Sequence, residues 1–103
     1  MDRYATDSGE VSLTGADQWA YANFPEGYFE VYVRGTYAAT VALQCRPVGT
    51  TEWIDRVADM GVLQVSSGIE FSAAAMEWRL GIPAGAYTSG TAVARLYRGA
   101  GAR

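Results

Sequence analysis

Eleven carboxylates, one cysteine and no histidine limit what chemistry this chain of 103 residues can do. Without histidine there is no Ser-His or Cys-His nucleophilic pair, no histidine zinc site and no imidazole general base. A zinc site made only of thiolates needs more than Cys45. Paired carboxylates are what remains: Glu70 with Glu77, or Glu30 with Glu52, on adjacent strands, would have the residue types of a glycosidase. Acids at outward strand positions are ordinarily solvated, however, so the expectation is no catalytic residue and no enzyme activity. Calcium would need converging oxygens. Asp2, Asp7, Ser8 and Glu10 offer oxygens without a loop-motif spacing, so neither a metal nor a cofactor is expected. The glycine turns "GTYAAT" and "GAYTSGT" lead into strands and lack the helix and lysine of a phosphate-binding loop.

The other chemistry-bearing set is aromatic and cationic. Trp19, Tyr21, Phe24 and Tyr28 crowd one stretch, and Tyr32 and Tyr97 fall at outward positions near Arg34, Arg95 and Arg98. Three readings fit. The rings can plug the end of a sandwich, stack on sugars, or anchor a protein partner, since Tyr, Trp and Arg are enriched at interfaces and Lys is depleted. All eight basic residues are arginine, against eleven acids, for a net charge of −3. Such a balance lacks the basic stripe that nucleic-acid binding requires. No apolar run approaches the roughly 18 residues of a membrane span, and the opening "MDRYATDSGE" lacks the basic and apolar blocks of a signal peptide. Cys45 cannot pair within the chain and reads as a small buried hydrophobe.

The elements that would position these residues are strands. In "YFEVYVRG", Phe29, Val31 and Val33 alternate with Glu30, Tyr32 and Arg34. In the stretch from Ala39, the residues Val41, Leu43 and Cys45 alternate with Thr40, Ala42, Gln44 and Arg46. Period two means one buried and one presented face. Gly35 and Thr36 are expected to turn the first of these strands into the second as a hairpin. Short strands are also expected in "GEVSLTG", "EWIDRV", "GVLQVSSG" and "TAVARLYR". "FSAAAMEWRL" has helix formers, but Met76, Trp78, Leu80 and Ile82 alternate up to Pro83, which favours strand. Residues 16–25 show no clean period and are expected to form a long aromatic loop.

Turn signals recur about every ten residues, and nothing repeats. The expected fold is all-β, a single antiparallel β-sandwich, Ig-like or jelly-roll-like, of about seven to eight short strands. It would occupy residues 9–98, between an N-terminal arm (1–8) and a flexible tail (99–103). Val31, Val41, Leu43, Trp53, Trp78 and Leu80 are expected in its core.

Two stretches, "VRGTYAATVALQCRPVGTTEW" and "EWRLGIPAGAYTSGTAVARL", resemble small β-sandwich virion proteins of tailed bacteriophages. The resemblance rests on Gly35, Thr36, Tyr37, Thr40, Val41, Leu43, Gln44, Gly49 and Trp53, then Trp78, Arg79, Tyr87, Thr88, Ser89, Gly90 and the strand to Leu96. It covers residues 28–98. The pattern's usual Asp-Gly turn before the first Trp is replaced here by residues 47–51, Pro-Val-Gly-Thr-Thr. The resemblance implies a virion structural protein without enzyme activity: a capsid decoration (cement) protein, or a tail or head-tail accessory protein. Its implied partners are the major capsid protein or another virion protein, and further copies of itself, with a trimer expected. Its place would be the virion, assembled in the host cytoplasm, away from nucleic acid and membrane. Arg3, Tyr4, Trp19, Tyr21, Phe24, Arg34 and Arg98 are the expected protein-interface residues. The alternative is a carbohydrate-binding β-sandwich module using Trp19 and Tyr21.

Overall fold

The computed structural model describes residues 7–25, 27–59, 65–72 and 75–98, with only the backbone described over 65–71. Among these residues every regular element is a strand. The eight strands are β1 (Val11–Leu13), β2 (Gln18–Phe24), β3 (Gly27–Ala39), β4 (Ala42–Pro47), β5 (Ile54–Val57), β6 (Val65–Ser72), β7 (Met76–Ile82) and β8 (Tyr87–Tyr97). They form two four-stranded sheets of order β1-β8-β3-β6 and β2-β7-β4-β5, antiparallel throughout. Every connection except β4–β5 crosses from one sheet to the other, and β1 pairs β8, β2 pairs β7, β3 pairs β6, and β4 pairs β5. The chain is thus one long hairpin rolled up on itself, a jelly roll rather than an immunoglobulin order.

Alternation explains which faces meet. Phe29, Val31 and Val33 of β3, with Ala92, Ala94 and Leu96 of β8 and Leu13 of β1, turn inward from the first sheet. Ala20, Ala22, Phe24, Leu43, Cys45, Trp78, Leu80 and Ile82 turn inward from the second. An aromatic run crosses the core. Phe24 stacks on Phe29 with centroids 4.1 Å apart, and Phe29 meets Trp78 at 4.7 Å. The Trp78 indole N–H donates to the buried hydroxyl of Ser72 at 3.3 Å, so its one polar atom is not stranded. Strand, not helix, holds across Met76–Ile82.

Three expectations are corrected. Residues 16–25 are not a loop: Gln18–Phe24 is a strand, paired with β7 along its whole length. Its inward positions are Ala20, Ala22 and Phe24, and two alanines gave too faint an apolar beat beside the outward Trp19 and Tyr21. Gly35 and Thr36 make no hairpin turn either. β3 continues through them and pairs with β8 as far as Ala39, and the chain changes sheets at Thr40 and Val41. Gly35 serves close approach instead: at its φ of 119° a Cβ would lie 2.4 Å from the Thr91 carbonyl oxygen of β8. Trp53, finally, lies outside the sandwich core, partly buried beside β4, because it stands in the β4–β5 connection and not on an inward strand position. The other five expected core residues are buried.

Candidate functional site

The outward face of the second sheet is laid out by register. Tyr21, Arg79, Gln44 and Asp55 form one cross-strand row, and Asn23, Glu77 and Arg46 form the next. Trp19 is opposite Gly81, where a Cβ would come within 2.7 Å of the Trp19 Cα, so the edge strand can lie close there. Asp17, at a φ of 58° that Asp tolerates better than most residues, accepts the Trp19 indole N–H at 3.0 Å. The Arg79 guanidinium is 3.8 Å from the Trp19 ring centroid and 4.4 Å from that of Trp53. Arg46 is 4.3 Å from Trp53, and Tyr21 flanks Trp53 at 6.2 Å. Hydrogen bonds orient these cations. Arg79 Nε donates to Gln44 at 2.8 Å, Gln44 in turn donates to Asp55 at 2.8 Å, and Arg46 Nε donates to Glu77 at 2.6 Å. The Arg46–Glu77 pair is mostly out of solvent, with side chains 12% and 5% exposed. The result is an alternating stack of arginine and tryptophan tied to the strands beneath it.

The outward face of the first sheet carries tyrosines and ion pairs. Tyr32 donates its hydroxyl to Glu10, and Arg34 Nη2 meets both oxygens of the same carboxylate at 3.0 and 3.2 Å. Arg95 forms a two-point contact with Asp7 at 3.0 and 2.6 Å and lies 4.3 Å from the Tyr97 ring centroid. Tyr97 meets Tyr32 edge-on at 5.9 Å and donates to Glu30 at 3.1 Å. The Arg95 contact holds the Asp7 carboxyl below its ordinary range, and the Tyr32 hydroxyl and then Arg34 do the same for Glu10. Desolvation, then Glu10, raises the Tyr32 phenol, and desolvation, then Glu30, raises that of Tyr97. Asp7 and Glu10 are therefore kept as anions, the opposite of what a general acid needs.

The expected interface residues do not gather. Trp19 and Tyr21 share the second sheet's outer face, but Trp19 is only 9% exposed, covered by Arg79 and bonded to Asp17, so it is not the free anchor expected. Phe24 is 1% exposed, stacked within the core, and serves no surface. Arg34 lies on the first sheet, and Arg98 donates to the Pro25 and Tyr28 carbonyls where β2 passes into β3. Arg3 and Tyr4 lie outside the described residues. Neither carboxylate pair forms on one sheet: β6 with Glu70 and β7 with Glu77 belong to different sheets, and Glu30 is on β3 while Glu52 precedes β5 in the other. Arg46, Trp53, Glu77 and Arg79 were not among the expected interface residues: Trp53 was expected in the core and Glu77 in an acid pair with Glu70. Arg46 and Arg79 were legible as outward positions between Leu43, Cys45, Trp78 and Leu80. Gln44 and Arg46, on the presented face of their strand, are engaged by Asp55, Arg79, Glu77 and Trp53.

Among the described residues, no group of three or more Cys, Asp or Glu side chains is arranged to hold a metal ion. Likewise, no helix is long and apolar enough to cross a membrane. No protein-family model, no curated protein and no solved structure matches the chain.

Proposed function

We propose that the chain is a structural component of a tailed-phage particle, a decoration (cement) protein that attaches to the head lattice through protein–protein contacts. The observation that carries this reading is the make-up of the two outward faces, rich in Tyr, Trp and Arg, the side chains enriched at protein interfaces. The likeness of residues 28–98 to virion β-sandwich proteins supports it. So does the jelly-roll order, which recurs in capsid domains, though also in lectins and cupins, as a fold-level analogy. Its partners on this reading are the major capsid protein or another virion protein, and further copies in a symmetric array, a trimer among the options. Weak single contacts then add up through effective concentration. The particle is its location.

One observation favours a second reading. Tyr21 and the partly buried Trp53 share the outer face of the second sheet, beside a Trp19 that is only 9% exposed, and aromatic rings on a β-face are what sugar rings stack on. It ranks second because guanidinium groups already lie 3.8–4.4 Å from the ring centroids of Trp19 and Trp53. The test is to band particles of the encoding phage on a density gradient and quantify the chain by mass spectrometry. A fixed stoichiometry with the capsid protein is expected, and rebinding of purified chain to stripped particles should restore it. Absence from the banded particles overturns the proposal, and a glycan-array ligand lost on Trp53→Ala establishes the second reading in its place.

A further inference from the structure

Arg34, Arg46 and Arg95 each pair with a carboxylate, that of Glu10, Glu77 and Asp7 in turn. Arg79 does not. Its Nε donates to the neutral Gln44, and the carboxylates around it are already taken: Glu77 by Arg46, Asp55 by Gln44 and Asp17 by the Trp19 indole. Among the described residues nothing accepts from Nη1 or Nη2 of Arg79, and neither nitrogen is closed off from solvent, so both point to where a ligand could reach them. The side chain is nonetheless partly buried, with its guanidinium 3.8 Å from the Trp19 ring centroid and 4.4 Å from that of Trp53.

A cation held in this way is prepared for an anion. Two indoles and the Nε bond restrain the guanidinium, and Gln44 is itself held by Asp55, so little side-chain freedom is left to lose on binding. Two Nη donors in one plane match the two oxygens of a carboxylate, and the indole walls keep water from weakening the contact. The chain's net charge of −3 disfavours a polyanion such as nucleic acid. Guanidinium groups already lie against the Trp19 and Trp53 rings, where a sugar would have to stack. The ligand that fits is a single carboxylate among uncharged neighbours, which Tyr21 and Trp53 flank with apolar ring surface.

We propose that Arg79 is the receptor for an aspartate or glutamate side chain of a protein partner, with the carboxylate seated on Nη1 and Nη2 and the residues beside it lying on Tyr21 and Trp53. The proposal rests on the reading of this face as a protein interface, and it names what the partner presents there: one acid flanked by apolar residues.

The probe is a library of random dodecapeptides selected on the full chain. Asp or Glu flanked by apolar residues should dominate the recovered sequences. Replacing that acid by its amide in the consensus peptide should weaken binding to the unaltered protein about tenfold or more. Arg79→Ala should do the same, with Arg79→Lys in between, because lysine keeps the charge and loses the fork. Near-UV circular dichroism from the buried Trp78 checks that each variant is folded. Recovered peptides without an enriched acid, an amide peptide that binds as well as its acid, or a folded Arg79→Ala chain that binds unchanged overturns the proposal. Sialyllactose that binds more tightly than the consensus peptide, and is lost with Arg79→Ala, also overturns it by giving the site to an acidic glycan. Acid-dependent peptide binding by a chain absent from particles would fail the particle reading alone. Wild-type occupancy of particles by the Arg79→Ala chain would fail this inference and leave that reading standing.

Discussion

Trp78 and Trp53 are the same residue type in opposite circumstances, and their substitution separates core packing from surface stacking. Trp78 is 1% exposed, touches Phe29, and has its indole N–H paired with Ser72. Trp78→Ala would leave a cavity and remove one partner of the buried Ser72 hydroxyl, and a loss of about 3–5 kcal/mol is expected. Trp53 is only partly buried, packs on two guanidinium groups and lies outside the core, so Trp53→Ala should cost less, about 1–2 kcal/mol. Urea unfolding of the two variants measures both. Equal losses would mean that Trp53 carries core packing it does not have in this structure. Glu77 shows the same lesson for a charge. Its carboxylate sits beneath the Arg–Trp stack and is bonded to Arg46, so it belongs to the architecture of the face and not to an acid pair with Glu70.

At the scale of elements, residues 7–10 form a clasp before β1, tied to β8 and β3 by Asp7, Ser8 and Glu10, and its hold depends on pH. Asp7 and Glu10 have folded-state pKa values below their ordinary ones, from Arg95 and from Tyr32 with Arg34. A depressed carboxyl contributes stability that is present above its unfolded pKa and lost as pH falls through the folded one. The charged and titratable groups facing the clasp from β3 and β8 are Glu30, Tyr32, Arg34, Arg95 and Tyr97. The cations among them stay charged throughout, and Glu30 bonds Tyr97 and not the segment itself, so acid loosening is expected to come from Asp7 and Glu10. The Ser8 and Leu96 amide resonances should therefore shift as pH drops from about 6 to about 3. In the Asp7→Asn/Glu10→Gln chain that transition should be absent. An unchanged transition in the double variant would place the titrating group elsewhere. The same elements show how far local patterning reaches. β3, β4 and β7 were legible because Phe29, Val31 and Val33, then Leu43 and Cys45, then Trp78 and Leu80 keep strict alternation. β2 was not, because its inward beat is Ala20 and Ala22 and its largest side chain points out.

For the whole molecule, rolling a hairpin into two sheets leaves edges at β1, β2, β5 and β6. β5 has Ile54, 56% exposed, followed by Asp55 and Arg56, both exposed. Charges on such an edge oppose pairing with other chains. Replacing Asp55 and Arg56 together with valine should lower the thermal midpoint by only a few degrees, for the lost Gln44 bond, while light scattering climbs with concentration above wild type. A variant as monodisperse as wild type would show that the edge is protected by other means. The nested pairing also brings the N-terminal clasp onto β8 across 88 residues of sequence. Contacts of that range are slow to form, so the clasp and β1 are expected to close late in folding.

What the sequence determined by itself was class and exclusion. Period-two alternation with glycine turns made the chain a β-sandwich, since only a half-buried strand satisfies that pattern. The lack of histidine and the single cysteine removed whole families of chemistry on residue type alone. Tertiary structure decided the partnerships. Alternation says that a strand has an inward and an outward face, but it does not say which strand lies beside it, because pairing depends on contacts between residues far apart in sequence. Gly35 and Thr36 look locally like a hairpin turn, yet β3 runs through them because β8 lies alongside. Trp53 looks like core until β4 and β7 place Arg46 and Arg79 beneath it. Phe24 looks like an exposed anchor until β2 pairs with β7 and turns it onto Phe29. In each case a local preference worth about a kilocalorie yielded to burial and pairing worth several.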